Sequence, residues 1–128
     1  DVKWIFAVIA AAVTMGVLDG LWLGVVAKSF YRDELGGLMR ERTNVFAAGL
    51  FYVLYVAGVI VLVVRPSEGV GTAALVGAAL GLIAYGTYDL TSMATIDGFT
   101  WRVTVVDLVW GVVLTAVVSA AAEWASTW

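Results

Sequence analysis

The sequence predicts an all-α integral membrane protein: a single domain, residues 1–128, folded as a bundle of four transmembrane helices. Two observations lead to this fold class. Hydrophobic residues make up 62% of the chain and charged residues only 13%, whereas soluble domains carry about a quarter charged residues. Between flanking charges, moreover, four apolar stretches reach the roughly 20 residues that a helix needs to cross a bilayer.

The first two predicted helices span residues 3–27 and 44–64. The first is interrupted only by Asp19. Its apolar run is much longer than that of a secretory signal, about 7–15 residues, so we expect a retained helix. The second carries no charged residue.

The third and fourth predicted helices span residues 70–96 and 101–124. The third contains Asp89, and the fourth contains Asp107. Thr100 directly precedes the fourth helix and suits its N-cap, because a threonine hydroxyl accepts from a free backbone N–H of the first turn.

Glycines recur at every fourth residue in two of these helices, at positions that would form ridges. One ridge consists of Gly16, Gly20 and Gly24, and the other of Gly77 and Gly81. Small residues at this spacing let two helices approach closely in lipid. We therefore expect both ridges to lie against neighbouring helices of the bundle, with a dimer face as the alternative.

The charges of the connections predict the orientation. Lys and Arg accumulate in cytoplasmic loops of membrane proteins. The polar loop 28–43 and the short loop 97–101, together with their borders, carry five of these residues, and the other side carries two. We therefore expect a multi-pass protein of a bacterial inner membrane, with both termini outside and both of these loops in the cytoplasm.

The three aspartates within the helices are expected to share one depth. At a rise of 1.5 Å per residue, Asp19 lies about 12 Å inward from Lys28, and Asp89 lies equally far from Asp97. Asp107 lies about 8 Å inward from Arg102 on the same rise. Intramembrane carboxylates nearly always face the bundle interior, so this common layer predicts a polar pocket.

Aromatic and hydroxyl side chains accompany these aspartates. Residues three or four apart are neighbours on a helix, and Tyr52 enters the same layer from the second helix. Three like charges in a low dielectric should be partly protonated unless a cation intervenes. The predicted cation- or ligand-binding residues are Asp19, Asp89, Asp107, Trp22, Trp110, Tyr88, Tyr52 and Ser92, with Arg32 and Arg102 as candidate ion-pair partners.

Composition also narrows the chemistry. The chain contains no Cys and no His, which removes thiol nucleophiles, disulfides and the commonest metal ligand. We assign no catalytic residue and expect no cofactor, and the identity of any metal stays open. The seven basic residues form no nucleic-acid footprint.

Four segments of the chain resemble the bacterial domain-of-unknown-function family 2177, small four-helix membrane proteins. The segments are "DGLWLGVVAKSFYRDELGGLM" (19–39), "FYVLYVAG" (51–58), "AYGTYDLTSMAT" (84–95) and "VTVVDLVWG" (103–111). The family often has Asn at the position of Ser92. The resemblance implies the four-helix fold and marks the Asp, Trp and Tyr positions as family features. It implies no activity.

Three functions fit this pattern. The first is a small transporter or ligand-binding membrane protein that holds a cation or proton among the aspartates. The second is a structural or accessory subunit, a homodimer or part of a larger membrane complex, in which the aspartates only fix helix packing. The third is a membrane-embedded enzyme acting on lipids, for which no phosphate-binding signature is found.

Overall fold

A computed structural model describes residues 2–26, 28–36 and 45–128. Helix α1, Val2–Leu21, continues as a π-helical segment, Trp22–Val26. Helix α2 is Lys28–Leu35, and α3, Val45–Gly58, continues as a second π-helical segment, Val59–Val64. Helices α4 and α5 are Val70–Thr95 and Trp101–Ala125.

Four of these helical stretches are long and apolar enough to cross a membrane. They are Val2–Val25, Val45–Val64, Val70–Thr95 and Trp101–Ala125. The described residues form no β-strand. The predicted fold class, an all-α bundle of four transmembrane helices, is confirmed.

The polar segment 28–43 is helical over its first half, where the sequence indicated a loop. Helix α2 buries Tyr31, which packs with Phe99 and Val103 at the connection between α4 and α5. The helix forms because Phe30, Tyr31 and Leu35 give it an apolar face to bury. The rest of the predicted loop, 37–43, lies outside the described residues.

Helix α5 is the centre of the bundle. It packs against α4 along most of its length, against α1 on another side, and against the segment that continues α3. The apolar core lies between α1, α3 and α5, and consists of Ala7, Ala11, Met15, Tyr55, Val59, Ile60, Val64, Leu114, Val118 and Ala122. This position buries α5 on most sides, so the polar residues on its covered faces have little access to water.

The Gly77–Gly81 ridge lies against α5, as predicted. A Cβ atom on Gly81 would collide with the backbone carbonyl of Gly111 and would lie 2.9 Å from the Thr115 side chain. A Cβ on Gly77 would lie 2.8 Å from the Thr115 carbonyl. The absence of side chains at these two positions therefore sets the distance between α4 and α5.

The prediction for Gly16, Gly20 and Gly24 is wrong. All three are exposed, and a Cβ atom added at any of them would meet nothing within 4 Å. The core instead takes the neighbouring face of α1, formed by Ala7, Ala11, Met15 and Asp19. Because successive helical residues are about 100° apart, burying that face turns the glycines outward.

The turn between α4 and α5 is built on Gly98 and Thr100. Gly98 has φ 90°, a backbone conformation that residues with a Cβ rarely adopt. The Thr100 side chain then caps α5 by accepting from the Val103 N–H at 3.2 Å. The predicted N-cap is confirmed.

Different elements of the chain lie at the two ends of the bundle. One end, here called the α2 end, contains α2 and the α4–α5 turn. The other, here called the terminal end, contains the start of α1 and the end of α5. There Phe6 packs on Trp128 with ring centroids 5.9 Å apart, and Arg65 lies 5.7 Å from the Trp4 ring.

Candidate functional site

Asp19 is buried at the α2 end, where it accepts two hydrogen bonds from other helices. The Tyr52 hydroxyl of α3 donates to one carboxylate oxygen at 3.0 Å. The Trp110 indole N–H of α5 donates to the other at 3.2 Å. Asp19 therefore ties α1 to both neighbouring spans.

Asp107 accepts its hydrogen bond from α2. The Tyr31 hydroxyl donates to Asp107 at 2.8 Å and accepts from the Trp22 indole N–H at 3.1 Å. Burial raises the pKa of the Tyr31 hydroxyl, and the charge of Asp107 raises it further. Tyr31 thus stays protonated and remains a donor at every physiological pH.

A stacked indole pair connects these two carboxylates. The rings of Trp22 and Trp110 are 4.5 Å apart between centroids and inclined by only 5°. Each tryptophan interacts with the aspartate of the other helix. Trp110 lies one turn from Asp107 on α5 but donates to Asp19 of α1. Trp22 lies one turn from Asp19 but is connected to Asp107 through the Tyr31 hydroxyl. One hydrogen-bonded and stacked unit therefore joins α1, α2 and α5.

Asp89 differs from the other two aspartates. Its exposed fraction is 0%, and neither carboxylate oxygen has a hydrogen-bond partner among the described residues. Asp107 of α5 is the acidic neighbour that acts on the Asp89 carboxyl. Two ionised carboxylates offer only acceptors and repel each other, so the pair is favoured when one of the two carboxyls holds a proton.

Ser92 and Tyr88 lie beside Asp89 on α4 but face different surroundings. Ser92 is buried on the Asp89 face, one turn away. Tyr88 is 62% exposed, and its ring meets Phe99 edge to face at 6.2 Å. Only Ser92 of this pair belongs to the interior.

The two arginines predicted as ion-pair partners occupy the surface of the α2 end. Arg102 pairs with Glu34 of α2 at 3.3 Å, and its side chain is 77% exposed. Arg32 is exposed as well. Within residues 2–26, 28–36 and 45–128, none of the three aspartates forms a salt bridge. Arg102 lies in the first turn of α5, so its long side chain reaches the helix border more readily than the interior.

A cleft of about 290 Å³ opens between α3 and the α4–α5 pair. Its lining consists of Phe51, Ala84, Tyr85, Tyr88 and Asp107. Phe51 and Tyr88 are exposed at its mouth, whereas the Tyr85 ring packs directly on Gly111. The cleft therefore leads from an apolar, aromatic mouth on the side of the bundle to a carboxylate.

The predicted site residues are thus divided into three arrangements. The first is a hydrogen-bonded and stacked group of Asp19, Tyr52, Trp110 and Trp22, which Tyr31 links to Asp107. The second is the Asp89–Asp107 carboxyl pair, with Ser92 buried beside it. In the third, Tyr88 lines the cleft mouth. In the described part of the chain, no three acidic groups lie close enough together to hold a metal ion.

Sequence reasoning missed Tyr31 and Phe51. Tyr31 lies in the segment interpreted as a polar loop, although the apolar spacing of Tyr31 and Leu35 gave a signal for a helix. Phe51 carried no signal, because an aromatic residue in an apolar helix faces lipid as readily as a cleft.

Sequence reasoning also missed Glu123. This residue lies near the end of the fourth predicted helix, 101–124, and only 8% of its surface is exposed. The four-residue spacing of Gly111, Thr115, Ser119 and Glu123 on α5 places all four on one buried face.

Comparison with known proteins gives a family but no characterised relative. The model of a family described as "Predicted membrane protein (DUF2177)" matches residues 4–124. No curated protein and no solved structure matches the chain. The matched residues include every aspartate of the site and nearly the whole of the four spans.

Proposed function

We infer the function from the site, because this chain belongs to the DUF2177 family of predicted membrane proteins, whose description names no activity. We propose that the protein binds a lipophilic monovalent cation at the Asp89–Asp107 pair in exchange for a proton. This is the binding step of a small transporter or of a ligand-binding membrane protein. The cation enters through the cleft between α3 and α4.

The observation that carries this proposal is the Asp89 side chain. It is fully buried, it has no donor among the described residues, and it faces a second carboxyl. Placing an ionised carboxylate in a low dielectric without a partner costs several kcal/mol. A proton bound to the carboxyl pair removes this energetic cost, and a bound cation removes it as well. The proton and the cation are therefore alternative occupants of one site.

The cleft lining supports an organic cation over a hydrated metal ion. Tyr85, Tyr88 and Phe51 offer ring faces, which attract cations electrostatically, and Asp107 supplies the opposite charge. A small metal ion needs several oxygen ligands at once, whereas the described residues offer no group of three acidic side chains. A large cation with a diffuse charge needs only the aromatic faces and the carboxyl pair.

The position of the cleft supports entry from the bilayer. Its mouth lies on the side of the bundle, where Phe51 is 44% and Tyr88 62% exposed. A ligand that partitions into lipid reaches such an opening without crossing the end of the protein. This favours lipophilic cations among the organic ones.

We predict that the purified protein binds tetraphenylphosphonium and not tetraphenylborate, an anion of the same size and shape. Asp107→Asn is expected to weaken tetraphenylphosphonium binding by about tenfold, equivalent to about 1.4 kcal/mol, because the ligand loses its counter-charge. Equilibrium dialysis or calorimetry in detergent measures both affinities. Asp33→Asn, an exposed acid of α2, is the matched control and should bind like the wild type.

Equal binding of the two probes would overturn the proposal, because it would show partitioning into an apolar surface with no charge selectivity. An Asp107→Asn variant that binds tetraphenylphosphonium with the affinity of the wild type would do the same. Either result favours the alternative function, a structural or accessory subunit in which the carboxyl pair only fixes helix packing.

The proposed orientation puts the α2 end, and with it the carboxyl pair, in the cytoplasmic half of the membrane. The lysines and arginines within 28–43 and 97–102 support this orientation. Because the chain has no cysteine, Asp33→Cys and Glu68→Cys each give one reactive thiol, at the α2 end and the terminal end. We expect an impermeant maleimide added to intact cells to label only the Glu68→Cys variant; the reverse pattern would contradict the orientation.

A further inference from the structure

Lys3 and Arg65, two basic residues at the terminal end, meet at a single aromatic ring. The Lys3 Nζ atom lies 4.7 Å from the centroid of the Trp4 ring, and the Arg65 guanidinium carbon lies 5.7 Å from a ring centroid of the same side chain. Lys3 belongs to the first turn of α1, whereas Arg65 follows the segment that continues α3. Two elements of the chain therefore bring positive charges to one place, although like charges repel each other.

Neither of these cations is in contact with an acid. Both side chains are exposed, and within residues 2–26, 28–36 and 45–128 neither forms a salt bridge. The Lys3 charge acts on the buried Glu123 carboxyl, but only from a distance greater than a salt bridge. An ammonium has three N–H donors and a guanidinium has five, so both groups keep donors that an anionic ligand can use.

Aromatic side chains at the terminal end indicate the depth of these charges in the membrane. Trp124 and Trp128 of the α5 end are both exposed, and their rings meet edge to face with centroids 4.6 Å apart. Tryptophans of membrane proteins gather at the level of the lipid headgroups. With Trp4 at the same end, the Lys3–Arg65 pair lies at the depth of the lipid phosphates.

An apolar groove of about 400 Å³ leads away from the Trp4 ring along α1. Its lining consists of Trp4, Ile5, Val8 and Ile9, and the three aliphatic side chains are exposed. At a rise of 1.5 Å per residue, Ile9 lies about 8 Å deeper in the bilayer than Trp4. The groove therefore runs from the headgroup level into the hydrocarbon, which is the direction that a lipid acyl chain takes.

We propose that the terminal end holds an anionic phospholipid, whose phosphate binds Lys3 and Arg65 beside Trp4 while one acyl chain lies in the groove of α1. A zwitterionic lipid carries its own ammonium next to the phosphate, so it gains less from two protein cations. The site therefore selects headgroups with a net negative charge. It lies at the end of the bundle opposite the carboxyl pair and does not depend on the proposed cation binding.

Native mass spectrometry of the purified protein with phosphatidylglycerol and phosphatidylcholine of identical acyl chains tests the selectivity. The wild type is expected to bind phosphatidylglycerol more tightly. Lys3→Gln and Arg65→Gln should each weaken phosphatidylglycerol binding by about fivefold, the effect of one basic residue at a membrane surface. Both should leave phosphatidylcholine binding unchanged. Arg32→Gln, at an exposed basic residue of α2, is the matched control and should bind both lipids like the wild type.

Thermal unfolding in detergent provides a second measurement. A phosphate that binds Lys3 and Arg65 joins the start of α1 to the end of the α3 segment, so phosphatidylglycerol should raise the Tm of the wild type more than phosphatidylcholine does. In Arg65→Gln the two lipids should shift the Tm equally. Because Arg65 is exposed, this variant should show the circular dichroism of the wild type when no lipid is added.

Equal affinity of the wild type for the two lipids would overturn the proposal, and so would wild-type phosphatidylglycerol binding in both Lys3→Gln and Arg65→Gln. A competition with glycerol phosphate distinguishes a lipid from a free phosphate, because glycerol phosphate has no acyl chain to place in the groove. At the concentration of the lipid it should not displace phosphatidylglycerol. Displacement would show a site for a soluble anion and would overturn the assignment to a phospholipid.

Discussion

Gly81→Leu is expected to separate α4 from α5 and to unfold the bundle at much lower denaturant than the wild type. A Cβ atom alone would collide with the Gly111 carbonyl and press on Thr115 at 2.9 Å. Overpacking by small additions to a packed interface costs about 1–3 kcal/mol, so a whole leucine side chain at a backbone contact should cost more. Circular dichroism during titration with a denaturing detergent measures the loss.

Gly20→Leu is the matched control for this prediction. Gly20 also lies in a transmembrane helix, but nothing lies within 4 Å of the position that its Cβ would take. Leucine is a better helix former than glycine by up to about 1 kcal/mol, so the variant should be as stable as the wild type or slightly more stable. Equal destabilisation by both substitutions would contradict the packing described for α4 and α5.

Asp89→Asn is expected to abolish the proton release that accompanies tetraphenylphosphonium binding. In the proposed exchange, the carboxyl pair gives up its proton as the cation binds. Asparagine keeps the shape of the side chain but carries no exchangeable acid proton, so cation binding at Asp107 should proceed without acidifying the medium. A pH indicator in weakly buffered detergent solution measures the released protons. Asp97→Asn, at an exposed acid of the α4–α5 turn, should release protons like the wild type.

The stability of Asp89→Asn also distinguishes a cation-binding carboxyl pair from one that only fixes helix packing. The side-chain amide that Asp89→Asn introduces can donate to Asp107, so the variant should be stabilised by about 1 kcal/mol, the net value of one hydrogen bond. If Asp89 were the structural partner of a buried cation, the change would instead destabilise the protein by several kcal/mol. Loss of stability together with unchanged proton release would contradict the proposed role of Asp89.

Much of the fold was predictable because the bilayer imposes strict requirements on sequence. Every backbone polar group in the apolar layer must be satisfied within its own helix, so four long apolar stretches could only become four helices. The α4–α5 turn was equally local, since Gly98 and Thr100 have conformational and capping preferences that act over a few residues.

The arrangement of the site was less predictable because it depends on helix rotation. The spacing of Trp22 and Trp110 placed each indole beside the aspartate of its own helix, whereas each hydrogen bond goes to a group on another helix. The two glycine ridges of α1 and α4 look alike in sequence, yet one is buried and the other is open. The sequence of a single helix does not indicate which of its faces a neighbouring helix will bury.

The sequence by itself determined the class of the protein, the number of its spans and the presence of acids within them, because these follow from the transfer of side chains and backbone into an apolar layer. Only the tertiary structure decided which acids meet, because that depends on the packing of α1 and α4 around α5. It paired Asp89 with Asp107, gave Asp19 its donors from Tyr52 and Trp110, and buried Glu123 at the terminal end. In lipid, helices are held together by polar groups inside the bundle and by small residues at helix contacts, and these favour many rotations of a helix about its own axis almost equally. The fit of all five helices selects one of these rotations.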